Sequence, residues 1–528
     1  MGKAGQYAFD AEGAGRRGRV WEGHLARLQV VNYIALAVFS ASMYRIMRLW
    51  DGSLNRMNFF PLCIPFIGVF ASMTYLFGFF GITIISAVMD PPFTPSPLPS
   101  PKNRCAKKSD TIATPDGASS DYSFDEPEMI IVGAGTAGAS AAVTFARQGR
   151  KVLLVERFMQ EQDRIVGELL QPGGLRALER LGLDACAKEG SDSVVVDGYA
   201  VIRAANFEES CGASSGPDEV MLYYPETDPE KTSELFGKGV TPATPAGGVV
   251  DRGKYPRGRS FHNCRFVQRL RETALAEKNI RVVEATVSDL LEGENGEVVG
   301  VRFREAAEED APEGGERVTR EVRAPMTVIA DGIWSGLRKC ANTHRPQKMS
   351  TFVGVLVTHP PDAAPVPHKH CGHVVLAHPS PILIYQISST ETRVLVDVAG
   401  PMPSASDGGL AKFLREKSAP QLPALFQASF LAAVDRGDVK SMPNRTMPAS
   451  DVHREGALLL GDALNMRHPL TGGGMTVAIK DVELLSNLLE EVSFEDTAAV
   501  AAVATRFHRE RKAHAATINV LANALYQV

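Results

Sequence analysis

"EMIIVGAGTAGASAAVTFARQGRKVLLVERF", residues 128–158, runs from an apolar segment through a glycine turn and an alanine-rich stretch closed by Gly149 into a second apolar segment ending at Glu156. The order predicts strand, helix, strand: a βαβ unit opening an α/β domain. Gly133, Gly135 and Gly138 form GxGxxG at the first strand's end, with Thr136 and Ala137 inside the turn. The first glycine permits the tight turn, the second a close backbone approach to a pyrophosphate, and the third close packing of helix on strand. The helix N-terminus adds about half a positive charge facing the phosphates. Glu156 is placed to accept hydrogen bonds from an adenosine ribose, and strand, spacing and acid together make a dinucleotide site. They do not separate NAD from FAD.

Upstream of residue 128 the character changes. Residues 90–127 are rich in Pro, Ser and charge, a composition that cannot bury enough apolar surface to order itself, and they read as a linker. Before them, residues 28–44 and 58–89 are two uncharged, largely apolar runs. A bilayer core takes about 20 apolar residues as helix, so 28–89 reads as a membrane anchor of one or two hydrophobic helices, with a buried core helix as the alternative. Residues 1–27 form a tail, and basic residues flank the anchor on both sides, which fits both ends lying in the cytosol. The 528-residue chain carries a net charge of −5 and 44% hydrophobic residues, which excludes an electrostatic case for nucleic acid. Its seven cysteines are scattered with no CxxC pair, so neither a metal site nor a disulfide framework is expected.

Downstream, "VIADGIWSGLRK" (328–339) and "ALLLGDA" (457–463) are strands running into Asp331-Gly332 and Gly461-Asp462. The second leads into "LNMRHPLTGGGMTVAIKD" (464–481), where Gly472, Gly473 and Gly474 stand in place of a helix cap. Ala478, Val482, Leu485 and Leu489 then fall on one stripe of a helix. GxGxxG, DG, then GD before a glycine-rich helix start resembles the FAD-dependent aromatic-hydroxylase superfamily, which decides for FAD. In it the GD aspartate, here Asp462, holds the ribityl chain and the glycine-rich helix start lies against the flavin ring. The resemblance implies an α/β fold: a Rossmann-like FAD-binding domain of the glutathione-reductase or aromatic-hydroxylase type with an inserted antiparallel, substrate-facing sheet. That domain is expected over 128–490, with a helical segment over 491–528. No second GxGxxG occurs in the sequence, so electrons are expected from outside the chain.

Further stretches, among them "DRIVGELLQPGGLRALERLGL" (163–183), "VVVDGYAVI" (194–202), "GRSFHNCRFVQRLR" (258–271) and "NMRHPLTGGGMT" (465–476), are similar to the squalene monooxygenase family, and the likeness extends over most of residues 128–528. It implies FAD contacts from Gly133, Gly135, Thr136, Ala137, Gly138, Glu156, Arg157, Arg164, Arg265, Val287, Asp462, Gly473, Gly474 and Met475. It also implies an active-site tyrosine at Tyr199, hydrogen-bonded by Gln171. Taken alone, Tyr199 reads more readily as a strand tyrosine packed in a core, and only the matching motif reverses that. The implied reaction inserts one oxygen atom of dioxygen into the terminal double bond of squalene, giving (S)-2,3-oxidosqualene, with electrons from NADPH through a partner flavoprotein reductase. No metal is called for, and His468 is expected in a structural or flavin-tuning role, since epoxidation removes no proton from the alkene. A substrate without polar atoms resides in a bilayer, which fits the anchor and an endoplasmic reticulum or microsomal membrane with the catalytic domain facing the cytosol. The family continues past the "TINVLANALYQ" segment (517–527) into hydrophobic helices, so substrate entry in this chain, which stops at Val528, is expected to depend on the N-terminal anchor or on a continuation. A prenyl reductase that reduces double bonds and a lipid-binding escort protein of the same fold remain the alternatives.

Overall fold

The computed structural model describes residues 126–204, 218–224, 256–305, 319–450, 452 and 454–527. They lie within a compact unit spanning Ser119–Val528. The expected tail and anchor, and the linker up to residue 125, lie outside the described residues. Among the described residues, no helix is long and apolar enough to cross a membrane.

The opening stretch folds as its pattern demands. Strand β1 (Met129–Val132) leads through helix α1 (Thr136–Arg147) into β2 (Val152–Glu156), and the two strands pair in parallel. Both are all but fully buried, as their continuous apolar runs require of a sheet covered on two faces. The sheet continues on one side with β11 (Met326–Ile329) and β17 (Ala457–Leu459), both parallel. On the other side it continues with β8 (Ile280–Glu292), whose first half pairs with β2 in parallel. The second half of β8 turns away to form an antiparallel meander with β9 (Val298–Glu305) and β10 (Thr319–Arg323). One face of this sheet packs on α1, α2 (Pro172–Leu181), α3 (Asn263–Ala276) and α5 (Gly474–Leu489) through Phe145, Phe266, Val482 and Leu485. The stripe read from the sequence of α5 is the face it buries, with Val482, Leu485 and Leu489 inaccessible to solvent.

The second sheet has the order β16-β12-β15-β14-β13-β5-β6. Its strands are β5 (Gly198–Arg203), β6 (Glu219–Tyr223), β12 (Gln347–Thr358), β13 (Cys371–Leu376), β14 (Ile382–Gln386), β15 (Glu391–Ala399) and β16 (Val439–Thr446). The expectation of an antiparallel sheet needs correction: β5 and β13 pair in parallel, so the sheet is mixed. Chain routing explains it, because after β6 the chain builds the α3-to-β11 part of the first sheet before returning as β12 and β13. A parallel partner needs such a long crossover. One face of this sheet packs on α4 (Ala424–Arg436) through Phe426 and Phe430; the other carries Phe352, Leu383, Tyr385 and Leu395, which meet Leu470. Three short strands, β3 (Leu169–Leu170), β7 (Gly258–Ser260) and β4 (Val194–Val196), form an antiparallel strap in the order β3-β7-β4. Helices α6 (Thr497–Glu510) and α7 (Lys512–Gln527) pack on α5, where the Arg511 guanidinium grips buried Asp481 at 2.8 Å.

Candidate active site

The glycine turn after β1 owes two of its three glycines to close packing. Gly133 has φ +98°, and a side chain there would come within 2.7 Å of the Ala330 carbonyl oxygen. A methyl group on Gly138 would overlap the Gly133 carbonyl oxygen, so the third glycine is required for helix to meet turn. Gly135 differs: its φ of −79° suits any residue, and nothing lies within 4 Å of where its side chain would be. The fold gives Gly135 no reason to be glycine, but a closely approaching ligand does. Thr136 and Ala137 open α1, whose N-terminus has no side-chain cap. The carboxylate of Glu156 accepts from the Ala134 N–H at 2.6 Å and the Phe158 N–H at 3.1 Å, so it braces the turn. Val287 lies three residues beyond Glu284, the cross-strand partner of Glu156, at a bulge in β8.

Two aspartates close the site from neighbouring strand ends. One buried oxygen of Asp331 has no hydrogen-bond partner, and burial pushes its carboxyl pKa up. Burial likewise raises the pKa of Asp462, against the pull of Arg467, Arg338 and Arg164. Arg338 ties the two loops together, donating to the Gly332 carbonyl at 2.8 Å and the Asp462 carbonyl at 3.3 Å. An orphaned buried acceptor beside an open glycine cradle fits a ligand with hydroxyl groups and a pyrophosphate, as FAD has.

The three consecutive glycines have three separate causes. Gly472 has φ +59°, closing the 3₁₀ turn Pro469–Thr471 in the left-handed region. A side chain on Gly473 would collide with Ile518 of α7, so its bareness is a packing requirement rather than a mark of the ligand. Gly474 has nothing within 4 Å of its missing side chain, and α5 starts with no side-chain cap. Met475, buried, follows, with its sulfur 4.0 Å from the Asn263 amide nitrogen.

Gln171 sits at the N-cap of α2, and its amide joins three segments. Its Nε2 donates to the Tyr199 hydroxyl at 2.5 Å and the Thr471 carbonyl at 2.7 Å, while its Oε1 accepts from the Tyr224 hydroxyl at 2.6 Å. Burial raises the Tyr199 pKa, so the phenol stays neutral. The pair thus lies against the turn that starts α5.

The remaining expected residues are more loosely placed. Arg157 stacks over Phe158 at 4.7 Å, and Arg164 donates to Gln162 at 3.3 Å. Arg265 on α3 has its ion-pair contact with Asp192 at 3.8 Å. The arginine that grips the glycine turn is instead Arg271, one and a half turns further along α3. It donates to the Ala134 carbonyl at 2.9 Å and the Gln160 carbonyl at 3.0 Å, with Glu156 at 3.8 Å. Its signal was an arginine interrupting the apolar face formed by Phe266, Leu270 and Ala274. Tyr224 and the buried Glu168–Arg393 pair, joined at 2.9 Å and bonded by the Tyr385 hydroxyl at 3.0 Å, carry no local motif and were missed.

With this geometry in place, comparison with known proteins is direct. A squalene epoxidase family model matches residues 323–528, and an FAD dependent oxidoreductase model matches residues 128–160. Squalene epoxidase 1 of Arabidopsis thaliana is 43% identical over 403 residues, covering 76% of this chain and 66% of that protein. Squalene epoxidase erg1 of Aspergillus fumigatus is 41% identical over 411 residues, covering 76% of this chain and 75% of that one. Squalene monooxygenase of Mus musculus is 38% identical over 431 residues, 80% and 66% of the two chains. The chain spans 66%, 60% and 67% of the length of the Arabidopsis thaliana squalene epoxidases 1, 2 and 3. Among solved structures, PqsL of Pseudomonas aeruginosa, a probable FAD-dependent monooxygenase, aligns with a TM-score of 0.54 at 19% identity, covering 76% of this chain and 95% of that one. The myxobacterial halogenase CndH aligns at 0.56 and 18% identity, covering 76% and 84%. These structures share the fold.

Proposed function

The chain belongs to the squalene epoxidase family, and we propose that it epoxidises squalene to (S)-2,3-oxidosqualene. One atom of dioxygen enters the epoxide and the other leaves as water, with two electrons drawn from NADPH through a partner flavoprotein reductase. The observation that carries this reading is the Gln171–Tyr199 hydrogen bond set against the uncapped start of α5. Bound FAD would supply the activation of dioxygen at that place.

The chain's own residues do the rest. The turn of Gly133, Gly135 and Gly138, with Thr136 and Ala137, would bind the pyrophosphate; Glu156 and the Val287 backbone would meet the adenosine end, and Asp462 would hold the ribityl chain. Arg157, Arg164 and Arg265 supply positive charge along the cofactor, with Arg271 keeping the turn in shape. The N–H groups of Gly473, Gly474 and Met475 at the uncapped start of α5 would hold the flavin end of the cofactor, where a helix N-terminus favours negative charge. Tyr199, held by Gln171, presents a neutral hydroxyl to the reacting edge. Leu395, Tyr385 and Leu470 are buried together at the turn Pro469–Thr471 and would keep water from the reacting centre.

Residues 28–89 anchor the protein in the endoplasmic reticulum or microsomal membrane, where squalene resides, with the linker 90–127 carrying the catalytic domain 128–490 and the helical segment 491–528 on the cytosolic side. Reconstitution of the full chain in vesicles with squalene, a reductase and NADPH tests the proposal. Formation of 2,3-oxidosqualene that depends on FAD and the reductase supports it, and a product with reduced double bonds overturns it.

A further inference from the structure

Behind the glycine-rich turn lies a buried polar cluster that the proposed reaction does not use. The His468 side chain is fully buried, with its ring stacked on Tyr526 at 4.4 Å and met edge-on by Phe352 at 5.4 Å. Its Nδ1 accepts from the Leu470 N–H at 3.4 Å, capping the turn Pro469–Thr471. With Nδ1 accepting, Nε2 carries a hydrogen and donates to Ser350 Oγ at 2.9 Å, with Asp397 Oδ1 at 3.5 Å. Ser350 in turn donates to Asp397 Oδ1 at 2.5 Å, and the Asn444 amide donates to both, at 2.9 and 3.0 Å. Ser350, Asp397 and Asn444 belong to β12, β15 and β16, the far strands of the second sheet. At its other end, the capped turn offers the Thr471 carbonyl that orients Gln171, and Gln171 holds Tyr199.

We propose that His468 is a positioning residue: anchored to the sheet through Ser350, Asp397 and Asn444, it fixes the turn whose Thr471 carbonyl aligns the Gln171–Tyr199 pair. The role rests on the proposed function for its consequence in turnover, but the alignment itself does not. The run Leu470 N–H to His468 to Ser350 to Asp397 has one donor direction, and with an aromatic ring on two sides of the imidazole it favours one arrangement of the turn. A catalytic group displaced by about 1 Å loses up to about a hundredfold in rate. The readout independent of turnover is the phenolic carbon of Tyr199, followed by NMR in full-length protein carrying [13Cζ]tyrosine and assigned through Tyr199→Phe.

His468→Leu removes both bonds of the ring. It is expected to shift the Tyr199 resonance and lower kcat at least about tenfold with KM and bound FAD little changed. His468→Asn keeps an acceptor near the Nδ1 position and is expected to recover most of both. Ser350→Ala, which touches neither Gln171 nor Tyr199, is expected to move the same resonance in the same direction, and it stands in if His468→Leu does not fold. In a double-mutant cycle the effect of His468→Leu on kcat disappears in a Gln171→Ala background. A Tyr199 resonance unmoved in the folded variants, or additive losses with Gln171→Ala, overturns the proposal and leaves His468 a core histidine. If the resonance moves in protein that makes no oxidosqualene, the positioning stands and the proposed reaction falls.

Discussion

Two glycines in one turn make opposite predictions. At Gly138 an added methyl overlaps the Gly133 carbonyl oxygen, and neither backbone can move without disturbing β1 or α1. Gly138→Ala is therefore expected to destabilise the apoprotein by about 1–3 kcal/mol, the usual cost of forcing a methyl group into a packed contact. At Gly135 the backbone accepts alanine and the methyl meets nothing within 4 Å. Gly135→Ala should leave apoprotein stability within about 0.5 kcal/mol, or raise it slightly by restricting the unfolded chain. The same methyl occupies the space through which a pyrophosphate approaches. At an FAD concentration a hundred times its Kd, the wild type gains about 2.7 kcal/mol from binding; a hundredfold weaker Kd leaves about 0.4 kcal/mol. Denaturant unfolding with and without FAD, with flavin fluorescence titration for Kd, separates the two variants. Equal destabilisation of both apoproteins, or unchanged FAD binding in Gly135→Ala, would refute the assignment of the open side of Gly135 to the cofactor.

Tyr199→Phe and Gln171→Ala should each lower turnover about tenfold or more while bound FAD stays constant, measured by flavin absorbance against rate; loss of flavin would make the pair structural. Gly473→Ala, whose methyl meets Ile518, should cost about 1–3 kcal/mol in denaturant unfolding, and Ile518→Ala in the same chain should recover part of it. His373 is buried, donating from Nδ1 to the Ile384 carbonyl at 3.2 Å and accepting the His368 N–H at Nε2, and burial lowers its pKa to about 4. Because the folded value lies below the unfolded value of about 6.5, its contribution is complete above that pH and is lost as pH falls toward about 4, by about 3 kcal/mol in all. His373→Asn should flatten the stability profile in that window relative to wild type, and an unaltered slope would contradict the assignment.

What the sequence made legible was local. GxGxxG, the strand-end acids and the stripe on α5 depend on residues a few positions apart, and the first sheet has the parallel βαβ unit they imply. The Gln171–Tyr199 contact was legible through family resemblance, since nothing in either residue's neighbourhood fixes a pairing across 28 positions. The parallel pairing of β5 with β13 was not legible, because it follows from the route of the chain between them. Nor was the division of labour among Gly472, Gly473 and Gly474: a glycine run looks alike whether it serves a turn, a neighbouring isoleucine or a ligand. Arg271 shows the same limit, because its task at the Ala134 carbonyl becomes visible only once α3 is seen to pass beside the turn.

The measurement that bears most directly on the proposed reaction is isotopic. Full-length protein in squalene-bearing vesicles, supplied with reductase, NADPH and 18O2, is predicted to yield 2,3-oxidosqualene carrying one 18O atom, and Tyr199→Phe should yield less of the same labelled product. Oxidosqualene without the label, or squalene recovered unchanged from protein shown to hold FAD and accept electrons, would contradict it.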